Sequence, residues 1–144
     1  EEEGVIIAYS SVYGNTAKAA EYLQSVLEAK GKKVTVYDLA RCDMSEAVED
    51  AFRYSKLVLA SITYNAGIFP HMETFIRALT ERAYQNRTIG LIENGTWAPV
   101  ANKTMKSMFE KSKNITFTDT SVTILSSMKE ADKEKLNQLA EELL

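Results

Sequence analysis

The chain has 144 residues, 45% of them apolar and 26% charged, with a formal net charge of −3 at pH 7 and a sequence pI near 5.3. That length fits one domain able to bury a full core, and the acidic balance argues against nucleic acid and acidic membrane surfaces as partners. A single cysteine, Cys42, excludes an internal disulfide and fits a reducing cytoplasm, and no apolar run is long enough to cross a bilayer.

The chain opens on Glu1-Glu2-Glu3 without a methionine or a basic-then-apolar leader, so the expectation is a processed product or a domain cut from a longer protein. Val5 to Tyr9 is a near-continuous apolar strand of the kind buried on both faces. Ala17 to Lys30 carries Ala20, Leu23, Val26 and Leu27 at helical spacing, and Gly31 stops it. Lys33 to Asp38 alternates through Val34 and Val36 as a second strand. Asp43 with Glu46 forms the pattern of a capping box for a short helix that turns Ala47, Val48, Ala51 and Phe52 inward. Lys56 to Ile62 is a third, buried strand; Pro70 then opens a helix striped with Met72, Phe75, Ile76 and Leu79. Thr88 to Ile92 is strand four, followed by a helix from about Pro99 to Ser112 that buries Val100, Met105, Met108 and Phe109. Ile115 to Leu125 holds strand five, and Ser127 with Glu130 signals the last helix, carrying Ala131, Leu136, Leu139 and Leu143.

Between the first strand and the first helix lies Ser10-Ser11-Val12-Tyr13-Gly14-Asn15-Thr16. A strand that ends in hydroxyls and one glycine and turns directly into a helix aims free backbone N–H groups at one point. The loop holds no Lys or Arg, so an anion there would rest on Ser10, Ser11, Asn15 and Thr16 side chains and on main-chain donors. Hydrogen bonds to a charged group contribute about 1.5 to 3 kcal/mol each and the helix dipole about 0.3 to 2 more, enough for four or five donors to hold a dianion without a cation. An ordinary capped helix start is the competing reading of the loop. Two nucleotide fingerprints fail. A Walker loop needs Lys after its second glycine, whereas Asn15-Thr16 follows Gly14; and G-x-G-x-x-G is absent, because Gly14 stands alone between Gly4 and Gly31.

Strands alternating with helices specify a parallel sheet covered on both faces, with right-handed connections and a ligand site past the carboxyl ends of the strands. The polar stretches Ser10 to Thr16, Thr63 to Gly67 and Asn94 to Trp97 follow strands one, three and four and therefore meet at one edge. No linker, repeat or low-complexity segment interrupts the pattern, so residues 1–144 form a single domain.

These residues resemble the flavodoxin-like family over essentially the whole chain. The first loop is similar to that family's hydroxyl-rich, cation-free FMN-phosphate loop. The stretch Ser61-Ile62-Thr63-Tyr64-Asn65-Ala66-Gly67-Ile68-Phe69-Pro70 is similar to the second flavin loop in the C-terminal domain of A-type flavoproteins, also called flavodiiron proteins. The resemblance implies an α/β three-layer sandwich, a five-stranded parallel sheet in the order 2-1-3-4-5 with helices on both faces. It implies FMN as cofactor, with Ser10, Ser11, Val12, Tyr13, Gly14, Asn15 and Thr16 around the ribityl phosphate. Thr63, Tyr64, Asn65, Ala66 and Gly67 would line the N5 edge, and Asn94, Gly95, Thr96 and Trp97 would close over the ring. It also implies an electron-transfer domain fed by a redox protein, rubredoxin-like or a flavin reductase. That domain would pass electrons to a preceding diiron domain that reduces oxygen or nitric oxide, in a full-length protein that forms homo-oligomers.

The chemistry of the loops agrees with this. A flat isoalloxazine needs aromatic walls, which Tyr64 and Trp97 are placed to supply, and Tyr13 would flank the ribityl chain or simply pack. Small Ala66 and Gly67 leave the Asn65–Gly67 backbone free to reorient toward the flavin. Glu93 is either a carboxylate opposing negative charge on the reduced ring or, the preferred expectation, a solvated charge. The third loop, Glu93 to Pro99, lacks the acidic and glycine-rich character of free-standing flavodoxins. His71 is expected at the surface and Cys42 in a structural role, and with one histidine the chain assembles no diiron centre of its own. The alternatives are a free-standing short-chain flavodoxin and an FMN-dependent NAD(P)H quinone reductase. A response-regulator receiver is disfavoured, since Ser10-Ser11 and Thr63 occupy the positions where it needs acids.

Overall fold

A computed structural model describes residues 2–11, 14–64, 67–95, 99–125 and 127–144, with residues 64 and 67 described in their backbone alone. The elements are β1 (Glu2–Tyr9), α1 (Asn15–Ala29), β2 (Val34–Asp38), α2 (Met44–Arg53), β3 (Tyr54–Tyr64), β4 (Gly67–Ile68), α3 (Pro70–Glu81), β5 (Arg87–Asn94), α4 (Ala101–Met108), β6 (Ile115–Phe117), β7 (Val122–Ile124) and α5 (Glu130–Glu142). The sheet order is β2-β1-β3-β5-β6, with β7 also on β5, and every one of these pairs is parallel. Counting β6 and β7 as one interrupted strand and setting the two-residue β4 aside, this is the expected 2-1-3-4-5 order.

Apolar residues on successive strand positions go to opposite faces, which is why the central strands read as continuous apolar runs. Ile6, Ala8, Leu57, Leu59, Ile89 and Leu91 pack with residues of α2, α3 and α4. Val5, Ile7, Val58, Ala60 and Ile92 pack with residues of α1 and α5. The chain therefore forms three layers. The helix stripes are as expected for α3, whose Met72, Phe75, Ile76 and Leu79 are buried behind Pro70 in the first turn. Asp43 caps α2 by accepting the Ser45 N–H at 3.0 Å.

Four expectations need correction. The strand expected over Ile115 to Leu125 is broken into β6 and β7. Arg87–Ile89 pair with Ile115–Phe117 and Ile92–Asn94 with Val122–Ile124, so the last strand carries two residues more than its neighbour between the two ladders. The intervening turn is held by its own polar groups, Thr118 donating its hydroxyl to the Thr120 carbonyl at 2.8 Å. The fourth helix starts at Ala101 and ends at Met108, closed by i−3 hydrogen bonds from Phe109 and Glu110, and Val100 and Met108 are only half-buried. The last helix is capped two residues later than expected: Lys129 is the N-cap and its N–H donates to Asp132 Oδ2 at 2.9 Å. The Lys129 ammonium folds back onto the carbonyls of Leu125 and Ser127, which keeps Ser127 outside the helix. Finally, β3 runs past Ile62 to Tyr64 and turns back as β4, with Thr63 opposite Ile68.

Candidate functional site

The carboxyl ends of β1, β3 and β5 lie side by side, which places the three polar stretches at one edge of the sheet. Leaving β1, the Ser10 N–H donates to the Ala60 carbonyl of β3 at 3.0 Å, and the fully buried Ser10 hydroxyl lies 3.5 Å from that of Ser61. Ser11 Oγ accepts the Gly14 N–H at 3.0 Å and so closes the loop on itself. Gly14 is the N-cap of α1 at φ 85 and ψ −7, with no side-chain cap, and no acidic residue stands in the first turn. Among the described residues no side chain caps α1, and the leading N–H groups of a helix have no partner within the helix itself.

Thr16, in that first turn, is 1% exposed, and its hydroxyl has no hydrogen-bond partner among the described residues. Leaving such a group unmet costs about 1 to 3 kcal/mol; the Oγ of Ser55 and the Oδ1 of Asn102 are likewise without a partner among the described residues. Asn15 is half-buried.

At the other two loops the described residues are committed to each other. Thr63 Oγ1 accepts the N–H groups of Val100 at 2.9 Å and Ala101 at 3.2 Å, so its hydroxyl oxygen serves the start of α4. Gly95 N–H donates to the Ile124 carbonyl at 3.1 Å, and Asn94 is buried at the end of β5 between Ile62 and Ile124. Glu93 is not the solvated charge that was expected. It is 7% exposed, with Oε1 accepting the Asn102 N–H at 2.9 Å and Oε2 accepting the Thr123 hydroxyl at 2.5 Å. The carboxylate therefore fills the N-terminus of α4, where a negative group is favoured. Sequence reasoning missed Asn102 and Thr123 as parts of this edge. The signal for Glu93 was its parity with Ile89 and Leu91, which puts it on the face that α4 covers.

Val12, Tyr13, Asn65, Ala66, Thr96 and Trp97 lie outside the described residues, as does the side chain of Tyr64, and Gly67 is described in its backbone alone. The aromatic walls expected of Tyr64 and Trp97 fall on those positions. His71 is exposed, as expected, with its ring 6.0 Å from that of Phe69. Cys42 is half-buried against the α2–α4 side of the core, and burial followed by the nearby Asp38 carboxylate pushes its thiol up, which suits a structural cysteine rather than a thiolate. No helix among the described residues is long and apolar enough to cross a membrane.

The architecture recurs in solved structures. Rubredoxin oxygen:oxidoreductase from Desulfovibrio gigas matches with a TM-score of 0.91 at 21% identity over 97% of this chain and 35% of that one. The Flv1 flavodiiron core from Synechocystis sp. PCC6803 matches at 0.87 and 16% identity over 98% of this chain and 35% of that one. A flavodoxin from the domain Archaea matches at 0.84 and 20% identity, covering 97% of this chain and 95% of the other. The chain thus spans about a third of the two longer proteins and nearly the whole of the third. No curated protein matches the chain. A family model described as a flavodoxin domain matches residues 6–140, and the chain belongs to that family.

Proposed function

We propose that the chain binds FMN and works as the electron-transfer domain of an A-type flavoprotein, in the reducing cytoplasm. It would take electrons from a reduced redox protein, rubredoxin-like or a flavin reductase, and deliver them to a diiron centre on another domain that reduces oxygen or nitric oxide. The observation that carries the FMN reading is the start of α1. Its leading N–H groups, its acid-free first turn and the buried Thr16 hydroxyl, unpartnered among the described residues, together make a donor set for a dianion in a loop without a cation. A ribityl phosphate fits that set.

FMN, when bound, supplies the redox chemistry itself. The chain's own residues bind and orient it. The first turn of α1 and Thr16 would hold the phosphate, Ser11 would keep the loop closed through Gly14, and the ends of β3 and β5 would carry the loops that flank the ring. Glu93, by accepting the Asn102 backbone N–H, leaves α1 rather than α4 as the helix start open to an anion at this edge.

The likeness to the Desulfovibrio gigas protein supports the A-type reading, and the 95% coverage of the archaeal flavodoxin supports a second one, a free-standing flavodoxin carrier. The test is a titration of the purified chain with FMN and with riboflavin, which lacks the phosphate, followed by flavin fluorescence quenching. FMN should bind at least about tenfold more tightly than riboflavin, a difference of about 1.4 kcal/mol. Thr16→Ala should shrink that ratio while leaving riboflavin binding in place. Equal affinity for the two flavins in the wild-type chain would overturn the phosphate assignment. Oxidation of the reduced, FMN-loaded chain by a separate diiron domain would then tell the A-type reading from the free carrier.

A further inference from the structure

The helix α4 lacks a cap of its own. Val100 stands at its N-cap with φ −129 and ψ 5 and makes no side-chain cap there. The donors at its start are met from outside instead: Val100 and Ala101 by Thr63 of β3, and Asn102 by Glu93 of β5. Thr63 belongs to the second of the three loop-bearing strand ends, and the amides it accepts close the third loop, 37 and 38 residues further on. The start of the third loop is close as well, since a Cβ placed on Gly95 would lie 3.8 Å from Thr63 Oγ1 and 3.4 Å from Pro99 Cβ.

A hydroxyl has two acceptor lone pairs and one proton. With both lone pairs held by amides at the start of α4, the Thr63 oxygen fixes the end of β3 against that helix as a bracket would. We infer that Thr63 is a positioning residue that ties the end of β3 to the start of α4, and so holds in place two of the chain segments that flank the proposed flavin ring. This rests on the FMN reading above. Removing the hydroxyl orphans two part-buried amides and loosens the tie between β3 and α4, which binding must then restore at a cost in affinity. The cost falls on the ring end of the cofactor. The phosphate end, on α1, is untouched.

The experiment compares Thr63→Val, which keeps the shape without the hydroxyl, and Thr63→Ser, which keeps the hydroxyl, in FMN and riboflavin titrations. Thr63→Val should weaken both ligands by about tenfold with their ratio unchanged, and Thr63→Ser should stay within about twofold of wild type. Undiminished affinity in Thr63→Val would overturn the inference, as would a loss confined to FMN or a serine variant no better than valine. A purely structural role would lower thermal stability and leave both affinities alone. Should Thr63→Val not fold, hydrogen exchange on the wild-type chain decides: riboflavin should slow exchange at the Val100 and Ala101 amides, and unchanged rates would refute the coupling. A wild-type chain that binds neither flavin removes the FMN reading and the inference with it, whereas one that binds both while Thr63→Val is unaffected removes the inference alone.

Discussion

Gly14 holds a left-handed backbone at φ +85, and a Cβ added there would meet nothing within 4 Å among the described residues. The cost of replacing it therefore comes from the backbone conformation alone, about 1 to 2 kcal/mol for an ordinary L-residue and less for Asn, whose short polar side chain tolerates that region. In denaturant unfolding of the ligand-free chain, Gly14→Ala should lose that amount and Gly14→Asn clearly less. Equal losses would show that contacts, not φ, set the cost. The same residue explains why the first loop could be read in advance: a hydroxyl pair, a glycine and a helix start are local signals. Glu93 could not be read that way. Its partners Asn102 and Thr123 lie 9 and 30 residues on, and a carboxylate at a strand end looks solvated until the helix above it is placed. Thr63 shows the same limit, since nothing near it in sequence reveals that its oxygen serves α4.

At the scale of elements, the interrupted last strand is the part that periodicity misjudged. Alternation through Thr116, Thr118 and Thr120 reads as one strand, and the two extra residues become visible only against the register of β5. The turn between β6 and β7 is clamped from α5. Glu142 accepts the Thr120 N–H at 2.8 Å, the Thr120 hydroxyl at 2.5 Å and the Gln138 amide at 3.1 Å. Burial pushes the Glu142 carboxyl up, but the hydrogen bonds from Thr120 and Gln138 together outweigh it and hold the group below its ordinary value of 4.5. A depressed carboxyl binds its proton more readily in the unfolded chain. The stabilisation is therefore present in full above pH 4.5 and is lost as the pH falls through the lower, folded value. Glu142→Gln should be less stable than wild type near neutrality, with the gap narrowing as the solution is acidified below that value. A gap that does not change with pH would mean that the carboxylate charge plays no part in holding the turn.

Across the whole molecule, the two ends of β5 have different duties. Asn94 closes the strand at the loop-bearing edge, and Arg87 opens it at the other, about 23 Å away at ~3.3 Å per residue. Arg87 is buried there and acts as a staple: Nε donates to the Tyr54 carbonyl at 3.0 Å, Nη1 to that of Gln85 at 2.6 Å and Nη2 to that of Phe52 at 2.5 Å, with the Tyr84 ring 5.2 Å from the guanidinium. It ties the end of α2 and the start of β3 to the entry of β5, at the edge away from the three polar loops. Charged hydrogen bonds of this kind contribute about 1.5 to 3 kcal/mol each, and water recovers part of that at a partly open edge. Arg87→Met should therefore cost roughly 2 to 4 kcal/mol and lower the melting temperature by roughly 10 °C. If the far edge does nothing but hold the fold, FMN and riboflavin affinities measured well below that temperature should stay within about twofold of wild type, in contrast to Thr63→Val, which spares the staple and weakens both ligands. An Arg87→Met chain that remains folded yet binds flavin as poorly as Thr63→Val would show that strain at one end of β5 reaches the loops at the other, and that the separation of duties along the strand does not exist.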